Sequence, residues 1–332
     1  MIELTDNGLY CPAGDFHVDP WRPVERAVLT HGHADHARPG SRRYLAAESG
    51  LGILRSRLGR QADIQGLAYG EAIRMAAARV SLHPAGHVLG SAQVRIETDD
   101  GVLVASGDYK RDEDPSCEPF EVVPCDTFIT EATFALPVYR WPDGAAVARD
   151  ILSWWQANAA AGRSSLLFCY ALGKAQRLLA ELARLTDETV YMHGALVPLV
   201  QVYRDAGIRM LPTEPVSQQG RKADFAGRLI LAPPSAAGTP WMRRFGKHST
   251  GFASGWMRIR GNRRRRGYDR GFVLSDHADW PALVRTIEQT GARRVLVTHG
   301  RSDVLVRHLR QTLGVSAEAL ETAYAQTPED EG

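Results

Sequence analysis

Short apolar runs rich in valine, isoleucine and leucine recur along the chain and predict strands. Five of these runs end directly before an ionisable residue. The runs are Ala27–Thr30, Val102–Gly107, Thr127–Thr130, Phe272–Asp276 and Val295–Thr298, and the residues that follow them are His31, Asp108, Glu131, His277 and His299. In a sheet covered by helices, the carboxyl ends of the strands are where site-forming loops begin. The pattern therefore predicts an α/β protein with its functional site at one edge of a sheet.

The long segment between Glu131 and His277 has an α/β pattern of its own. Ser164–Cys169 is predicted to be a strand, and the segment after Gly173 is predicted to be a helix because its leucines share one face. A second strand-like run, Arg228–Leu231, ends shortly before two prolines. We expect this segment to be an inserted domain. Its two ends must lie close together if Glu131 and His277 are to meet at one site.

The composition is that of an ordinary globular protein. The 332 residues suffice for one large or two ordinary domains, and 44% of them are hydrophobic and 23% charged. No apolar run is long enough to span a bilayer and the first residues lack the features of a secretory signal, so we expect a cytoplasmic protein without a membrane partner. The four cysteines form no CxxC pair, which favours reduced thiols over a disulfide scaffold or a thiolate zinc site.

The basic residues are concentrated in one segment, although the net charge is only +2. Between Trp241 and Arg270 they are Arg243, Arg244, Lys247, Arg258, Arg260, Arg263, Arg264, Arg265 and Arg266. Such a patch attracts polyanions through counterion release, and arginine binds phosphate with two parallel hydrogen bonds. Taken alone, the patch fits a nucleic-acid-binding surface and a solvated loop equally well.

The hexapeptide His31-Gly32-His33-Ala34-Asp35-His36 contains four potential metal ligands. Imidazole nitrogen and carboxylate oxygen suit zinc or manganese, and a loop after a strand can turn alternate side chains toward different ions. A surface histidine cluster is the alternative. With eleven histidines in the chain, however, chance produces an HxHxDH pattern on the order of once per thousand such proteins. The motif therefore predicts a metal site.

This motif after a short strand resembles the metallo-β-lactamase family, whose fold is an αββα sandwich with a binuclear metal centre at one edge. Three further residues stand in the order that the family requires. Asp19, in the sequence HVDP, resembles the aspartate that orients the ligands from behind. His87, in AGHVLGS, resembles a ligand histidine, and Asp108, in SGDY, resembles the aspartate that bridges the two ions.

The resemblance implies a complete ligand set for two divalent ions, zinc or manganese. The implied ligands are His31, His33 and His87 for one ion, Asp35, His36 and His299 for the other, and Asp108 for both. A hydroxide activated by the two ions would attack a phosphodiester. His277 would protonate the departing oxygen while Glu131 holds its imidazole in place. Asp35, Asp108, Glu131 and His277 are then the implied catalytic residues.

Three further motifs resemble the β-CASP nucleases, the nucleic-acid-processing branch of the family. They are Glu131–Phe134 for motif A, Asp276–Asp279 for motif B and Thr298–Gly300 for motif C. The resemblance implies residues 1–135 as the first part of the metallo-β-lactamase domain, 136–270 as an inserted α/β β-CASP domain, and 271–332 as the last part of the first domain. Three segments are similar in sequence to bacterial DNA-ligase-associated exonucleases. These segments are Tyr10–Asp15, Ser254–Met257 and Leu274–Trp280.

The resemblance implies a metal-dependent DNA exonuclease in DNA repair, with DNA as substrate and a DNA ligase and a helicase as partners. An RNA-processing nuclease is the alternative, because a histidine at motif C, here His299, is similar to the RNA-processing group. A small-molecule metallohydrolase is more remote, because it would lack the long insert and would not need Glu131 with His277. A binding module with a decayed metal site is disfavoured, because every ligand position is filled.

Several residues of the insert are candidates for binding nucleic acid. Lys174 at a predicted helix start and the Ser254-Gly255 turn can present backbone N–H groups to phosphate, and Lys174 adds an ammonium. An ordinary turn is the alternative at each place. The arginines expected to add to this surface are Arg258, Arg260 and Arg263 to Arg266.

Overall fold

The computed structural model describes residues 1–220, 222–259 and 267–322. The chain forms two compact units, and we call them unit 1 and unit 2. Among the described residues, unit 1 comprises Met1–Arg140 and the chain from His277 to Thr322, and unit 2 lies within Trp141–Asp276. Arg260 and the run Arg263 to Arg266, expected on a nucleic-acid-binding surface, lie outside the described residues.

Unit 1 contains two sheets and three α-helices among its described residues. The strands of the first sheet are β1 Glu3–Thr5, β2 Gly8–Cys11, β3 Phe16–Val18, β4 Arg26–Val28, β5 Arg43–Ala47 and β6 Ile64–Leu67. The strands of the second sheet are β7 Ala72–Met75, β8 Ala78–Pro84, β9 Ala92–Thr98, β10 Gly101–Ala105, β11 Thr127–Thr130, β18 Arg294–Val297 and β19 Ser316–Ala319, in the order β19-β18-β11-β10-β9-β8-β7. The helices are α1 Leu51–Leu58, α5 Trp280–Thr290 and α6 Ser302–His308.

Each sheet of unit 1 buries side chains on both of its faces. Successive side chains of a strand point to opposite faces, so one strand contributes to two cores. In β5, Leu45 packs into the core between the two sheets, whereas Tyr44 packs on the side that α1 covers. In β18, Leu296 joins the core between the sheets, whereas Val295 packs against α5 and α6. The layers of unit 1 are therefore helix, sheet, sheet and helices. The protein is a mixed α/β protein, as the apolar runs predict.

Unit 2 is built around a parallel sheet of six strands. They are β12 Ser164–Phe168, β13 Val190–Met192, β14 Thr213–Pro215, β15 Leu229–Ala232, β16 His248–Ala253 and β17 Arg270–Phe272, in the order β14-β13-β15-β12-β16-β17. The α-helices among the described residues of this unit are α2 Gly144–Ala160, α3 Lys174–Leu182 and α4 Val197–Asp205. Every residue of the central strand β12 is buried. Its two serines satisfy their hydroxyls inside the unit, because Ser164 donates to the Phe225 carbonyl oxygen and Ser165 accepts from the Asn158 amide.

Short turns of helix complete the described secondary structure. Turns of 3-10 helix lie at Glu48–Gly50, Gly194–Leu196, Val216–Gln218, Pro234–Ala236, Pro240–Phe245 and Gly255–Arg258, and a π-helical turn lies at Leu309–Leu313. In the part of the chain that is described, no helix has the length and the apolar character needed to cross a membrane.

The second sheet of unit 1 brings several predicted site residues to one edge. Strands β10, β11 and β18 are parallel neighbours, so Asp108, Glu131 and His299 all follow carboxyl ends at the same edge. The prediction for His277 is wrong in one respect. The predicted strand Phe272–Asp276 is not formed, because β17 ends at Phe272 and leaves an irregular stretch before His277.

Candidate metal centre

Asp19 braces the loop that carries the HxHxDH motif. Its Oδ1 accepts the Thr30 N–H at 2.8 Å, and its Oδ2 accepts the Thr30 hydroxyl at 2.5 Å. The same Oδ2 lies 2.8 Å from His36 Nδ1. Because a carboxylate only accepts hydrogen bonds, His36 carries a proton on Nδ1. The Nε2 atom of His36 faces the other way, 3.4 Å from Asp108 Oδ2, and is the nitrogen that can bind a cation.

Four side chains converge in the first donor group. One donor atom from each of His31, His33, His87 and Asp108 lies within 4.8 Å of all the others. His33 Nδ1 is 3.0 Å from both His31 Nε2 and His87 Nε2. Three imidazoles and one carboxylate at this spacing are a donor set typical of zinc and also accepted by manganese.

A second donor group lies beside the first, with Asp108 between them. One donor atom from each of Asp35, His36 and His299 lies within 4.8 Å of the others, and the rings of His36 and His299 stack with a centroid distance of 5.4 Å. Asp108 Oδ2 is 3.4 Å from His36 Nε2 and also 3.4 Å from His31 Nε2. Asp108 therefore lies between the two groups, where a bridging ligand would stand.

The protonation states of the first group suit metal binding. Burial and the nearby charge of His36 hold the pKa of His31 well below its usual range, and burial also lowers the pKa of His33. Burial alone would raise the pKa of Asp108, but the charge of His36 and the hydrogen bond of His31 hold it well below its ordinary value. Neutral imidazoles and an ionised carboxylate are the forms that ligate metals.

His36 shows that the centre favours a positive charge. Burial opposes a charged imidazole, but the carboxylates of Asp35, Asp108 and Asp19 together raise the pKa of His36 well above its ordinary value. In addition, Asp108 Oδ1 is buried and has no hydrogen-bond partner among the described residues. A buried carboxylate oxygen without a partner costs free energy unless a cation approaches it. The residues present therefore fit a metal ion.

Left-handed backbone conformations bring the donor-bearing loops together. His299 has φ 62° and Asp19 has φ 42°, both unusual for residues with a side chain and concentrated at functional sites in proteins. Gly107 has φ 57°, and a Cβ atom at this position would lie 2.6 Å from Thr30 Cβ. Only glycine permits this close approach, which sets Asp108 beside the HxHxDH loop.

Glu131, which is buried, and His277, which is half-buried, form a pair next to the first donor group. The Glu131 carboxylate accepts the Tyr109 N–H at 2.8 Å and lies 2.9 Å from His277 Nδ1. Nδ1 therefore carries the proton of this contact, which fixes the tautomer and the orientation of the ring. The His277 ring lies 4.7 Å from the ring of His87, centroid to centroid. The imidazole is thus held beside the metal donors by a carboxylate that is only 1% exposed.

The candidate nucleic-acid-binding residues that are described have partners inside unit 2 or are exposed. Lys174 begins α3 and is buried, and its Nζ lies 3.1 Å from Asp276 Oδ2. Ser254 is also buried, and its hydroxyl accepts the Trp256 N–H at 3.3 Å. Arg258 is exposed. Phosphate binding by Lys174 and Ser254 stays a prediction, and it would require the Lys174 ion pair to open.

The sequence analysis did not identify Thr30, Arg38 and Arg57, whose hydrogen bonds shape the loop of the HxHxDH motif. Thr30 links Asp19 to the motif, since its hydroxyl also lies 3.0 Å from His31 Nδ1. Its place directly before the motif was the only signal in the sequence. Arg38 and Arg57 donate to the carbonyl oxygens of Asp35 and Gly32, each at 3.3 Å. Nothing in the local pattern of the sequence marks Arg57.

No family model matches the chain, but individual proteins do. The chain is 32% identical over 319 residues to a protein of Opitutus terrae named "Probable DNA ligase", and the match covers 95% of this chain and 30% of that protein. It is 28% identical over 222 residues to a ribonuclease of Thermus thermophilus, with 58% of this chain and 48% of the relative covered. The chain therefore spans less than half the length of each of these relatives.

Other relatives that match smaller parts of the chain are also named as ribonucleases. Together these proteins point to the metallo-β-lactamase/β-CASP nuclease family, which the sequence motifs resemble. Among solved structures, the chain is similar to a protein of unknown function from Enterococcus faecalis V583, with a TM-score of 0.56 and 13% identity. The match covers 82% of this chain and 74% of that one. At this identity the likeness concerns the fold alone.

Proposed function

We propose that the protein is a metal-dependent nuclease of the metallo-β-lactamase/β-CASP family that hydrolyses phosphodiester bonds, with a DNA exonuclease as the first assignment. The observation that carries the proposal is the pair of donor groups that meet at Asp108, with the Glu131–His277 pair beside them. In this assignment the four layers of unit 1 are the αββα sandwich, and unit 2 is the β-CASP insert. The two units meet in sequence after Arg140 and before His277, a few residues later in each case than the predicted bounds of the insert, 136–270.

The chain's residues divide into two metal positions that zinc or manganese would fill. The residues that would hold the ions are His31, His33 and His87 at the first position, Asp35, His36 and His299 at the second, and Asp108 at both. When bound, two divalent ions supply a water of lowered pKa and neutralise the charge that develops on the phosphate oxygens. Asp19 orients His36 without binding the ion itself, because its contact with His36 fixes the proton on Nδ1 and leaves Nε2 for the ion.

His277 is the general acid of the proposed reaction. Breaking a phosphodiester bond leaves an oxyanion that must be protonated, and an imidazole can supply this proton near neutral pH. The Nδ1 atom of His277 is held by Glu131, so Nε2 is the nitrogen that would carry the proton for the leaving oxygen. The Glu131 carboxylate stabilises the charged imidazole and is itself fixed by the Tyr109 N–H.

The choice between DNA and RNA rests on two kinds of similarity. DNA as the substrate is supported by the sequence similarity of three segments to DNA-ligase-associated exonucleases. It is also supported by the match of 95% of the chain to a protein named as a probable DNA ligase. RNA is supported by the ribonuclease names of other relatives and by His299 at motif C. A DNA ligase and a helicase are the proposed partners, and recovery of neither in a pull-down with the tagged protein would count against them.

The decisive experiment is cleavage of end-labelled single-stranded DNA and of an RNA of the same sequence. The wild-type protein, loaded with zinc or manganese, is compared with an Asp35→Ala, His36→Ala double variant. A His83→Ala variant, altered at a histidine outside both donor groups, serves as the matched control. Stepwise shortening from one DNA end, lost only in the double variant, is the expected result. Cleavage of RNA with DNA spared would assign the protein to the RNA-processing branch, and no cleavage of either would refute the proposal.

A further inference from the structure

Arg57 lies at the rim of the candidate metal centre without a carboxylate partner. It belongs to the last turn of α1, and its Nε donates to the Gly32 carbonyl oxygen at 3.3 Å. Gly32 stands inside the HxHxDH loop, between two of the metal-donor histidines. Among the described residues, this hydrogen bond is the only hydrogen bond or ion pair of Arg57. The side chain is exposed.

The contact with Gly32 places this guanidinium beside the loop that carries the metal donors. Crowding by protein atoms lowers the pKa of Arg57, and the negative charge of Asp35 opposes that shift. The guanidinium stays charged at neutral pH. The Asp35 side chain is 32% exposed, whereas the side chain of His36 in the same group is 2% exposed. Solvent therefore reaches the second donor group at Asp35, whose charge acts on Arg57.

Arg38 provides an internal comparison, because it also holds the HxHxDH loop. Its Nε donates to the Asp35 carbonyl oxygen and its Nη1 to the Trp21 carbonyl oxygen, both at 3.3 Å. Arg38 thus uses two sides of its guanidinium on the backbone, as a structural brace does. Arg57 uses only Nε, which leaves the fork of terminal N–H groups that matches the oxygens of a phosphate.

We propose that Arg57 is a substrate-binding residue that holds a phosphate of the polynucleotide next to the one being cleaved. The Gly32 carbonyl orients the guanidinium, and the terminal nitrogens bind the phosphate. This inference rests on the proposed nuclease function and deepens it. Arg57 selects a polymer over a small phosphodiester, because a small diester has no neighbouring phosphate for it to bind.

The test measures binding separately from cleavage. Fluorescence anisotropy with labelled single-stranded DNA and RNA is recorded over a range of salt concentrations, in a metal-loaded Glu131→Gln background that suppresses turnover. We expect Arg57→Ala to weaken binding about tenfold or more and to reduce the slope of log K against log salt by about one phosphate contact. Arg57→Gln should behave in the same way, because its amide can still reach the Gly32 carbonyl but has neither charge nor fork.

Arg55→Ala is the matched control, because Arg55 is an exposed arginine of the same helix whose side chain points away from that of Arg57. We expect this variant to bind like the parent. In the wild-type background, Arg57→Ala and Arg57→Gln should both raise KM for the oligonucleotide by a larger factor than KM for bis(p-nitrophenyl) phosphate.

The inference is overturned if Arg57→Gln binds as tightly as the parent, since the backbone contact alone would then explain the residue. It is also overturned if Arg57→Ala lowers turnover of both substrates equally and lowers the metal content. Oligonucleotide binding that depends on Arg57, without cleavage by the wild-type protein, would refute the nuclease assignment and leave the phosphate site standing.

Discussion

Asp19 offers the sharpest test of how the metal loop is built. It is 4% exposed and accepts hydrogen bonds from three buried donors, the N–H and the hydroxyl of Thr30 and Nδ1–H of His36. Removing the acceptor from one buried donor costs about 1–3 kcal/mol. Asp19→Ala affects three donors, and water entering the vacated space offsets part of the loss, so we expect the metal-free protein to lose about 3–6 kcal/mol of stability.

Asp19→Asn separates folding from metal binding. The amide oxygen can still accept the Thr30 N–H, and asparagine tolerates the left-handed backbone at this position. The amide nitrogen, however, is a donor and cannot accept the His36 Nδ1 proton. The proton then moves to His36 Nε2, the nitrogen that faces Asp35 and Asp108. We expect affinity for the ion of the second donor group to fall about 10–100-fold, the usual effect of losing such a partner.

Two measurements check these expectations. Elemental analysis after dialysis against a metal buffer gives the number of bound ions, and urea unfolding of the metal-free protein gives its stability. Asp99→Asn, a change at an exposed carboxylate, is the control and should match the wild type in both. The reasoning would be refuted if Asp19→Asn kept two ions at wild-type affinity, because the tautomer of His36 would then not depend on Asp19.

Four further outcomes follow from the same structure. Glu131→Gln should lower the single-turnover cleavage rate about 10²- to 10⁴-fold with the metal content unchanged, and an unchanged rate would contradict the role of the pair. A chelator should lower the melting temperature in a thermal scan, because an ion at a thousand times its Kd adds about 4 kcal/mol to the folded state. Gly107→Ala should cost about 1–3 kcal/mol in urea unfolding, because its Cβ would meet Thr30 at 2.6 Å. Burial raises the pKa of Cys169 to about 12, so iodoacetamide at pH 8 should label it far more slowly in the folded than in the urea-unfolded protein, as peptide mapping would show.

The sequence identifies most of the side chains that converge at the candidate metal centre, because the features that mark them are local. Glu131 and His299 follow strands whose two faces are both buried, and such strands appear in the sequence as apolar runs. The same pattern fails before His277. Val273 and Leu274 pack into two different cores of unit 2 and so imitate a strand, although β17 has already ended at Phe272.

What the sequence does not predict depends on partners far apart in the chain. The helix start at Lys174 is predicted correctly, but the partner of its ammonium, Asp276, comes about a hundred residues later. The hydrogen bonds that join Asp19 to Thr30 and His36 cannot be predicted either, because no local sequence pattern shows which carboxylate accepts a proton from which donor. Arg57 is a further case, since only the tertiary structure brings α1 to Gly32.

The position of β18 has a consequence for how the chain matures during synthesis. β18 inserts between β11 and β19, yet roughly 160 residues separate the end of β11 from its start. At about 5–20 residues per second, a ribosome needs roughly 8–30 seconds to make that stretch. Throughout this interval β11 presents an unpaired strand edge, which invites pairing with other chains. The nascent protein also lacks His299 until the stretch is complete, so the second donor group cannot close before the sheet does.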